Sequence, residues 1–377
     1  MSKNIIIVGP AYPLRGGLAT YNLLLANKLQ EQGHSVRILT FSLQYPNIIF
    51  PGKTQYSTEP KPDSIEIEVS LNSVNPLNWL SLGKKLREEK PDLVIFRYWM
   101  PFMGPSLGTL GRIIRKNKHT KVVAIADNII PHEKRFFDTP FTKYFVNSCD
   151  GFVTMSKSVL EDLKKFDVNK PAGYNPHPMY ESFGPQLDKV EARKKLGLAE
   201  NGKYLLFFGF IRKYKGLDIL LRAFADKRIQ EAGIKLIIAG EYYDKPEEYQ
   251  AIIKEHNLEP AVVQANEFIP DSEVSVYFSA ADMVVQTYKT ATQSGVTQIA
   301  YYYHNPMLVT DVGGLAELVP HNKVGYVTST DTLEIADAIL DFYENKREAE
   351  FVENIKTERL CFTWDSMIAK LFEVGGL

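Results

Sequence analysis

The stretch FFGFIRKYKGLD, Phe207 to Asp218, places an arginine and two lysines between two glycines, with Arg212 and Lys215 as the candidate anion ligands. Gly209 closes an apolar, strand-like run, and Gly216 precedes a helix-like pattern that begins near Leu217. Cations at a strand end beside a helix N-terminus suit a diphosphate, because an arginine fork, a lysine point charge and first-turn N–H groups converge on it. The next apolar run ends in IIAGE, which sets Glu241 at a neighbouring junction. Further on, QTYKTATQSGVTQIA exposes Ser294-Gly295 at a helix start, and Thr292, Gln293 and Gln298 are neutral hydrogen-bonders suited to sugar or ribose hydroxyls. Near the N-terminus, GPAYPLRGGLATYN brings Gly16 and Gly17 to another helix start, where backbone N–H groups meet an anion without a side chain between them. Its glycines are too widely spaced for GxGxxG. DNIIPHEKRFF follows a strand and carries His132 and Glu133, with Asp127 and Asn128 nearby, as candidates for proton transfer or sugar contact. Each feature also has a plainer reading: solvated cations, helix caps, a flexible turn, a structural histidine.

Other chemistries lack their residues. HExxH, GxxxxGK[ST] and an Asp-x-Asp that would hold a metal on a diphosphate are all missing from the sequence. The charge of a bound diphosphate therefore falls to protein cations, and no cofactor is expected. Cys149 and Cys361 have neither the number nor the spacing of a disulfide framework or zinc site.

The elements that must position these residues alternate strand and helix along 377 residues, the pattern of parallel sheets covered by helices. NIIIVG, SVRILT, DLVIFRYW, KVVAIAD and GFVTMS read as strands of a first domain; KYLLFFGF, IKLIIAG, AVVQANEFI, DMVVQTY and PMLVTD read as those of a second. The Pro- and Gly-rich stretch 169–186 reads as the linker, and TWDSMIAKLFEV as a last amphipathic helix. The expected fold is α/β, two doubly wound parallel-sheet domains facing a central cleft. Their boundaries are 1–175 and 176–358, with 359–377 returning to the first domain.

Net charge is −1, yet residues 1–180 hold 23 Lys and Arg against 15 Asp and Glu, and the remainder 21 against 30. The basic first half suits an anionic membrane or phosphorylated lipid better than nucleic acid, for which no motif is visible. In GPSLGTLGRIIRKNKHTK, Leu107, Leu110, Ile113 and Ile114 share a helical face beside Arg112, Arg115, Lys116 and Lys118, either for an interface or as an ordinary surface helix. No apolar run reaches the roughly 20 residues of a membrane span. The start MSKNIIIVGP reads as a strand rather than a signal peptide, so the expected place is the cytoplasm or the inner membrane face.

In order and spacing, GGLATYNLLLANKLQEQGHSV, PHE, TMSKSVLEDL, NPHPMY, FFGFIRKYKGLDILLRAF, IIAGE, EFIPDSEVSVYFSAADMVV, SGVTQIAYYYHNPMLVTDVGGLAELV and FTWDSM resemble the retaining glycosyltransferases of family 4, which have the GT-B fold. The resemblance implies a nucleotide-diphosphate sugar, UDP-linked rather than GDP-linked, held by the second domain. It also implies a glycan or lipid-linked acceptor on the first, in surface polysaccharide biosynthesis. Arg212 and Lys215 match the pair that binds the diphosphate, Gly16-Gly17 the N-terminal glycine loop, and His132 the histidine that approaches the sugar. Phe268 and Ile269 resemble the nucleobase wall. One departure stands out: the two glutamates most members carry fall at Ala291 and Ile299 here. Their loss opens an alternative, a non-catalytic nucleotide-sugar binder or assembly partner derived from such an enzyme.

Overall fold

The computed structural model describes residues 2–46, 54–131, 135–167, 169–291 and 294–377. The chain divides into two units, Met1–Pro178 with Phe362–Leu377, and Met179–Cys361.

Among the described residues, the first unit has seven strands: β1 (Asn4–Val8), β2 (Ser35–Leu43), β3 (Glu66–Asn72), β4 (Leu93–Tyr98), β5 (Lys121–Ala126), β6 (Gly151–Thr154) and β7 (Ala172–Tyr174). They form one parallel sheet in the order β3-β2-β1-β4-β5-β6-β7. Ile5 to Val8 and Val122 to Ala126 are wholly buried, because helices cover both faces and such strands read as unbroken apolar runs. Two strands escape the apolar-run criterion. β3 is an edge strand, EIEVSLN, whose charged residues face solvent and whose one buried residue is Leu71. β7 lies inside the stretch taken for a linker, and pairs with Phe152–Thr154.

The helix Trp364–Gly375 completes this unit. Thr363 caps it, its hydroxyl accepting the Ser366 N–H at 3.2 Å, and Trp364, Met367, Ile368, Leu371 and Val374 are buried against β5, β6, β7 and the helix Gly17–Glu31. Burying five large apolar side chains is worth on the order of 10 kcal/mol gross, before chain entropy is charged against it.

The second unit has six strands among its described residues: β8 (Lys203–Phe208), β9 (Ile234–Ala239), β10 (Val262–Ala265), β11 (Met283–Gln286), β12 (Met307–Thr310) and β13 (Gly325–Thr328). They are again all parallel, in the order β10-β9-β8-β11-β12-β13. β10 is shorter than AVVQANEFI suggests, and β13, only GYVT, carries too little apolar sequence to stand out. In each sheet the strand order reverses beside the first strand of the unit: β1 against β4, and β8 against β11. At such a switch point the loops leaving the two carboxyl ends diverge to opposite faces and leave a crevice for a ligand.

Candidate functional site

The second unit's switch point is lined by the loops that follow β8 and β11. Gly209 ends β8 with φ 93°, and a Cβ there would stand 3.0 Å from the Lys215 Nζ, so the missing side chain makes room for the ammonium. The Ile211 N–H then donates to the Glu241 carbonyl at 2.8 Å, and the Tyr243 N–H to the Ile211 carbonyl at 2.9 Å. These bonds prolong the β8–β9 pairing past the strand ends and fix the backbone from which Arg212 projects. A short turn, Lys213–Lys215, leads through Gly216 into the helix Leu217–Phe224. Gly216 has φ 66°, and a Cβ on it would fall 1.9 Å from the Thr287 carbonyl oxygen, so no other residue fits.

The charges of this loop are arranged unevenly. Lys213 pairs with Glu248 at 3.2 Å, and Lys289 with Asp218 at 2.7 Å. Among the described residues no carboxylate forms an ion pair with Arg212 or Lys215, although Lys215 is only 8% exposed. Burial, and then the neighbouring Arg212 guanidinium, push the Lys215 pKa down to about 8. The shift corresponds to roughly 3 kcal/mol of unfavourable charging, which a bound anion would relieve. Arg212 lies over the Tyr243 ring at 4.9 Å, Tyr243 packs on Phe210 at 4.4 Å, and Phe210 faces Phe268 at 5.9 Å. The ends of β8, β9 and β10 thus carry an aromatic rack with a cation at one side.

The loop after β11 closes on the same place. The Thr287 hydroxyl donates to the Gly216 carbonyl at 2.9 Å, and the Lys289 N–H to the Tyr214 carbonyl at 2.6 Å. Between them the buried Tyr288 sets its ring 5.6 Å from the Lys215 Nζ and its hydroxyl 3.2 Å from the Ser294 Oγ. Ser294 caps the helix Gly295–Tyr302, accepting the Val296 N–H at 3.2 Å. Gly295 is pinned by Tyr180, whose ring would lie 3.0 Å from a Cβ. Gly209, Arg212, Lys215, Ser294 and Gly295 are therefore gathered around one switch point, with Glu241 buried at the adjoining strand end.

Other expected positions come out differently. Gln298 is fully buried, and among the described residues neither of its side-chain amide atoms has a hydrogen-bond partner. The helix turns Thr297, Gln298 and Ile299 toward the packed side, which a reading of polarity alone does not register. Ala291 and Ile299, the places of the two glutamates, are buried as well, and the Ala291 carbonyl oxygen would lie 1.5 Å from a Cβ on Gly313. Ile269 is buried beside the aromatic rack. His132, Glu133, Thr292 and Gln293 lie outside the described residues.

In the first unit Gly16, with φ 104°, stands at the N-cap of the helix Gly17–Glu31, whose first turn carries no acidic residue. A Cβ on Gly9, the residue after β1, would lie 2.7 Å from the Asn22 Nδ2 and 2.8 Å from the Arg97 Cβ. Arg97 Nε and Nη2 donate to the two Asp127 carboxylate oxygens at 2.7 and 2.6 Å, and its guanidinium covers the Tyr21 ring at 3.8 Å. Asp127, expected beside His132, is thus a buried ion-pair partner that holds the ends of β4 and β5 together. The helix Gly104–Ile114 buries Leu107, Leu110 and Ile114 in the core, which leaves no apolar face for a membrane. Arg112 stacks on Tyr144 at 3.6 Å and Arg115, just past the helix, pairs with Asp150 at 2.8 Å, so two of the four cations of this stretch are engaged within the unit.

The family model described as Glycosyltransferase Family 4 matches residues 15–172, and that described as Glycosyl transferases group 1 matches residues 188–358. The chain belongs to the family 4 glycosyltransferases. This glycosyltransferase is 25% identical over 344 residues to an uncharacterised glycosyltransferase of Methanocaldococcus jannaschii, with 85% of this chain and 84% of that one covered. Among solved structures it is similar to sucrose-phosphate synthase from Thermosynechococcus elongatus, with a TM-score of 0.74 at 16% identity, covering 99% of this chain and 98% of that one. The Anabaena protein HepE, solved in complex with UDP, gives a TM-score of 0.73 at 16% identity, with 98% of each chain covered. The fold of the glycosyltransferase is accordingly GT-B. Tyr288, Phe210 and Tyr243 are the site residues that sequence reasoning passed over. Aromatics among many apolar neighbours look like core, and only the ring distances to Lys215 and Arg212 set them apart.

Proposed function

We propose that the protein moves a sugar from a nucleotide-diphosphate donor, a UDP-sugar before a GDP-sugar, to a glycan or lipid-linked acceptor, with retention at the anomeric carbon and in surface polysaccharide biosynthesis. One observation carries the donor half of this proposal: among the described residues, Arg212 and the buried Lys215 stand without carboxylate ion-pair partners at a strand switch point and a helix N-terminus. In the proposed step the acceptor oxygen bonds to the anomeric carbon as the bond from that carbon to the diphosphate breaks. The electron pair stays on the leaving phosphate oxygen, which takes the acceptor's proton. Arg212 and Lys215 stabilise the charge that develops there, electrostatic work that preorganised cations do well in a water-poor site. Because these cations meet the charge, chelation of divalent metal is expected to leave the rate unchanged.

The aromatic rack of Phe210, Tyr243 and Phe268 supplies a stacking surface for the base. The acceptor side falls to the first unit, with Gly16-Gly17 and His132 in the places the family resemblance gives them. Contact with an anionic membrane, should the acceptor be lipid-linked, falls to exposed cations such as Lys116 and Lys118 and is expected to weaken with salt.

The test is nucleotide binding and sugar transfer by Arg212→Ala and Lys215→Ala. Each is expected to lose most turnover and to weaken UDP binding without melting below the wild-type temperature; wild-type rates in both would remove the mechanism. The burial of Ala291 and Ile299 favours a second reading, a nucleotide-sugar binder that no longer transfers. It predicts tight donor binding with neither transfer nor donor hydrolysis in the presence of any acceptor fraction.

A further inference from the structure

We propose that Tyr288 is a positioning residue for the diphosphate site, holding the Lys215 ammonium with its ring and the amino end of the helix Gly295–Tyr302 with its hydroxyl. The inference rests on the donor site proposed above and concerns how that site keeps its charge available.

Lys215 poses a physical problem. A buried ammonium on a flexible four-carbon stem must be held in place, and the usual device, a carboxylate, would also cancel the charge and compete with the ligand. An aromatic face avoids this. Its negative quadrupole attracts the cation while leaving the full positive charge, and all three N–H donors, for an anion on the other side. Tyr288 offers that face at 5.6 Å, and Gly209, 3.0 Å from Nζ to an imagined Cβ, leaves space beside the ammonium.

Tyr288 is itself rigidly mounted. Its two chain neighbours both bond to the cation loop, Thr287 to the Gly216 carbonyl at 2.9 Å and Lys289 to the Tyr214 carbonyl at 2.6 Å. The Lys289 Nζ adds an ion pair with Asp218 at 2.7 Å, and the Tyr214 ring meets the Tyr288 ring edge-on at 6.0 Å. Burial raises the phenol well above its ordinary pKa, so the hydroxyl stays a neutral hydrogen-bonding group beside Ser294 Oγ at 3.2 Å. Since the Ser294 hydroxyl oxygen also accepts the Val296 N–H, one side chain links the lysine from the β8 side to the helix start from the β11 side. The donor site is then set as a unit before any ligand arrives.

The experiment is calorimetric titration of the full chain with UDP, GDP and ADP, as a function of pH, for the wild type, Lys215→Ala, Tyr288→Phe, Tyr288→Leu, Ser294→Ala and the Tyr288→Phe/Ser294→Ala double variant. Tyr288→Phe and Ser294→Ala are each expected to weaken nucleotide binding by roughly three- to tenfold, and the double variant to be no weaker than the poorer single one, because both cut the same bond. Tyr288→Phe keeps the ring and should keep the wild-type pH at which affinity falls. Tyr288→Leu should lose about tenfold or more and move that pH. Additive losses in the double variant, or wild-type affinity and an unmoved pH midpoint in Tyr288→Leu, would overturn the proposal. If Tyr288→Leu does not fold, the double-variant cycle still decides. Nucleotide binding that Lys215→Ala abolishes and the Tyr288 variants leave untouched defeats this inference alone, whereas no binding of any of the three by the wild type defeats the donor-site proposal beneath it.

Discussion

Lys215 links the acidity of one amine to ligand affinity. Its pKa is about 8 in the folded protein against an ordinary 10.5, so between those values the unfolded chain holds a proton that the folded one has lost. Stability of the ligand-free protein therefore gains a contribution as pH rises through that window. Diphosphate affinity runs the other way. It should be level below about pH 7 and fall towards tenfold per pH unit above about 8, as the ammonium needed by the anion is lost. Binding at about pH 8.5 should draw a proton from the buffer, and calorimetry in two buffers of different ionisation enthalpy measures it. No proton uptake would mean that Lys215 is not the titrating ligand. Lys215→Arg, which cannot lose its charge in this range, should abolish the uptake.

At the scale of elements, the site depends on two loops that fit each other more closely than side chains permit. Gly216→Ala puts a methyl into the space of the Thr287 carbonyl oxygen and demands a left-handed backbone from a residue that resists it. We expect a loss of about 2 kcal/mol or more in urea unfolding, together with weaker nucleotide binding because Lys215 precedes the displaced residue. A variant with wild-type stability would show that the loops are free to separate. This element scale is also where sequence and structure can be compared most usefully. Arg212, Lys215 and the two flanking glycines were legible because a strand end, a helix start and charge coincide within eight residues of sequence. Ser294 was legible as a cap. The β8–β11 adjacency was not, since pairing between strands some eighty residues apart leaves no local mark. Tyr288 therefore looks like any aromatic after an apolar strand, and Gln298 is read from its polarity as a hydrogen-bonder for sugar hydroxyls with no sign of its burial, because the helix that carries it is packed nearly all round and its buried side cannot be found by period. β3 and β7 were missed for the opposite reason: edge strands keep polar or glycine residues and lack the apolar run by which central strands are found.

At the scale of the whole molecule, the two units differ in how the chain builds them. The second is one continuous segment, Met179–Cys361, whereas the first needs residues from both sides of it. Residues 179–361 expressed alone should fold cooperatively and bind UDP with an affinity near that of the full chain, since Arg212, Lys215, Tyr288 and Ser294 all lie within them. A chain cut after residue 361 should lose the first unit's cooperative transition, because β5 and β6 then expose the surface that Trp364, Ile368 and Leu371 cover. Two melting transitions in the full chain, of which only the one assigned to the first unit disappears on truncation, would be the supporting result; an unchanged profile would refute it.

The return of the helix Trp364–Gly375 to the first sheet also orders events during synthesis. At about 5–20 residues per second, the ribosome needs roughly 10–40 s to pass from the end of β7 through the second unit to the residues that cover β5 and β6. During that interval the nascent first unit presents an uncovered apolar face to chaperones, while the second folds without it. A stop codon between the donor site and Trp364 would therefore damage the portion of the protein that was translated first.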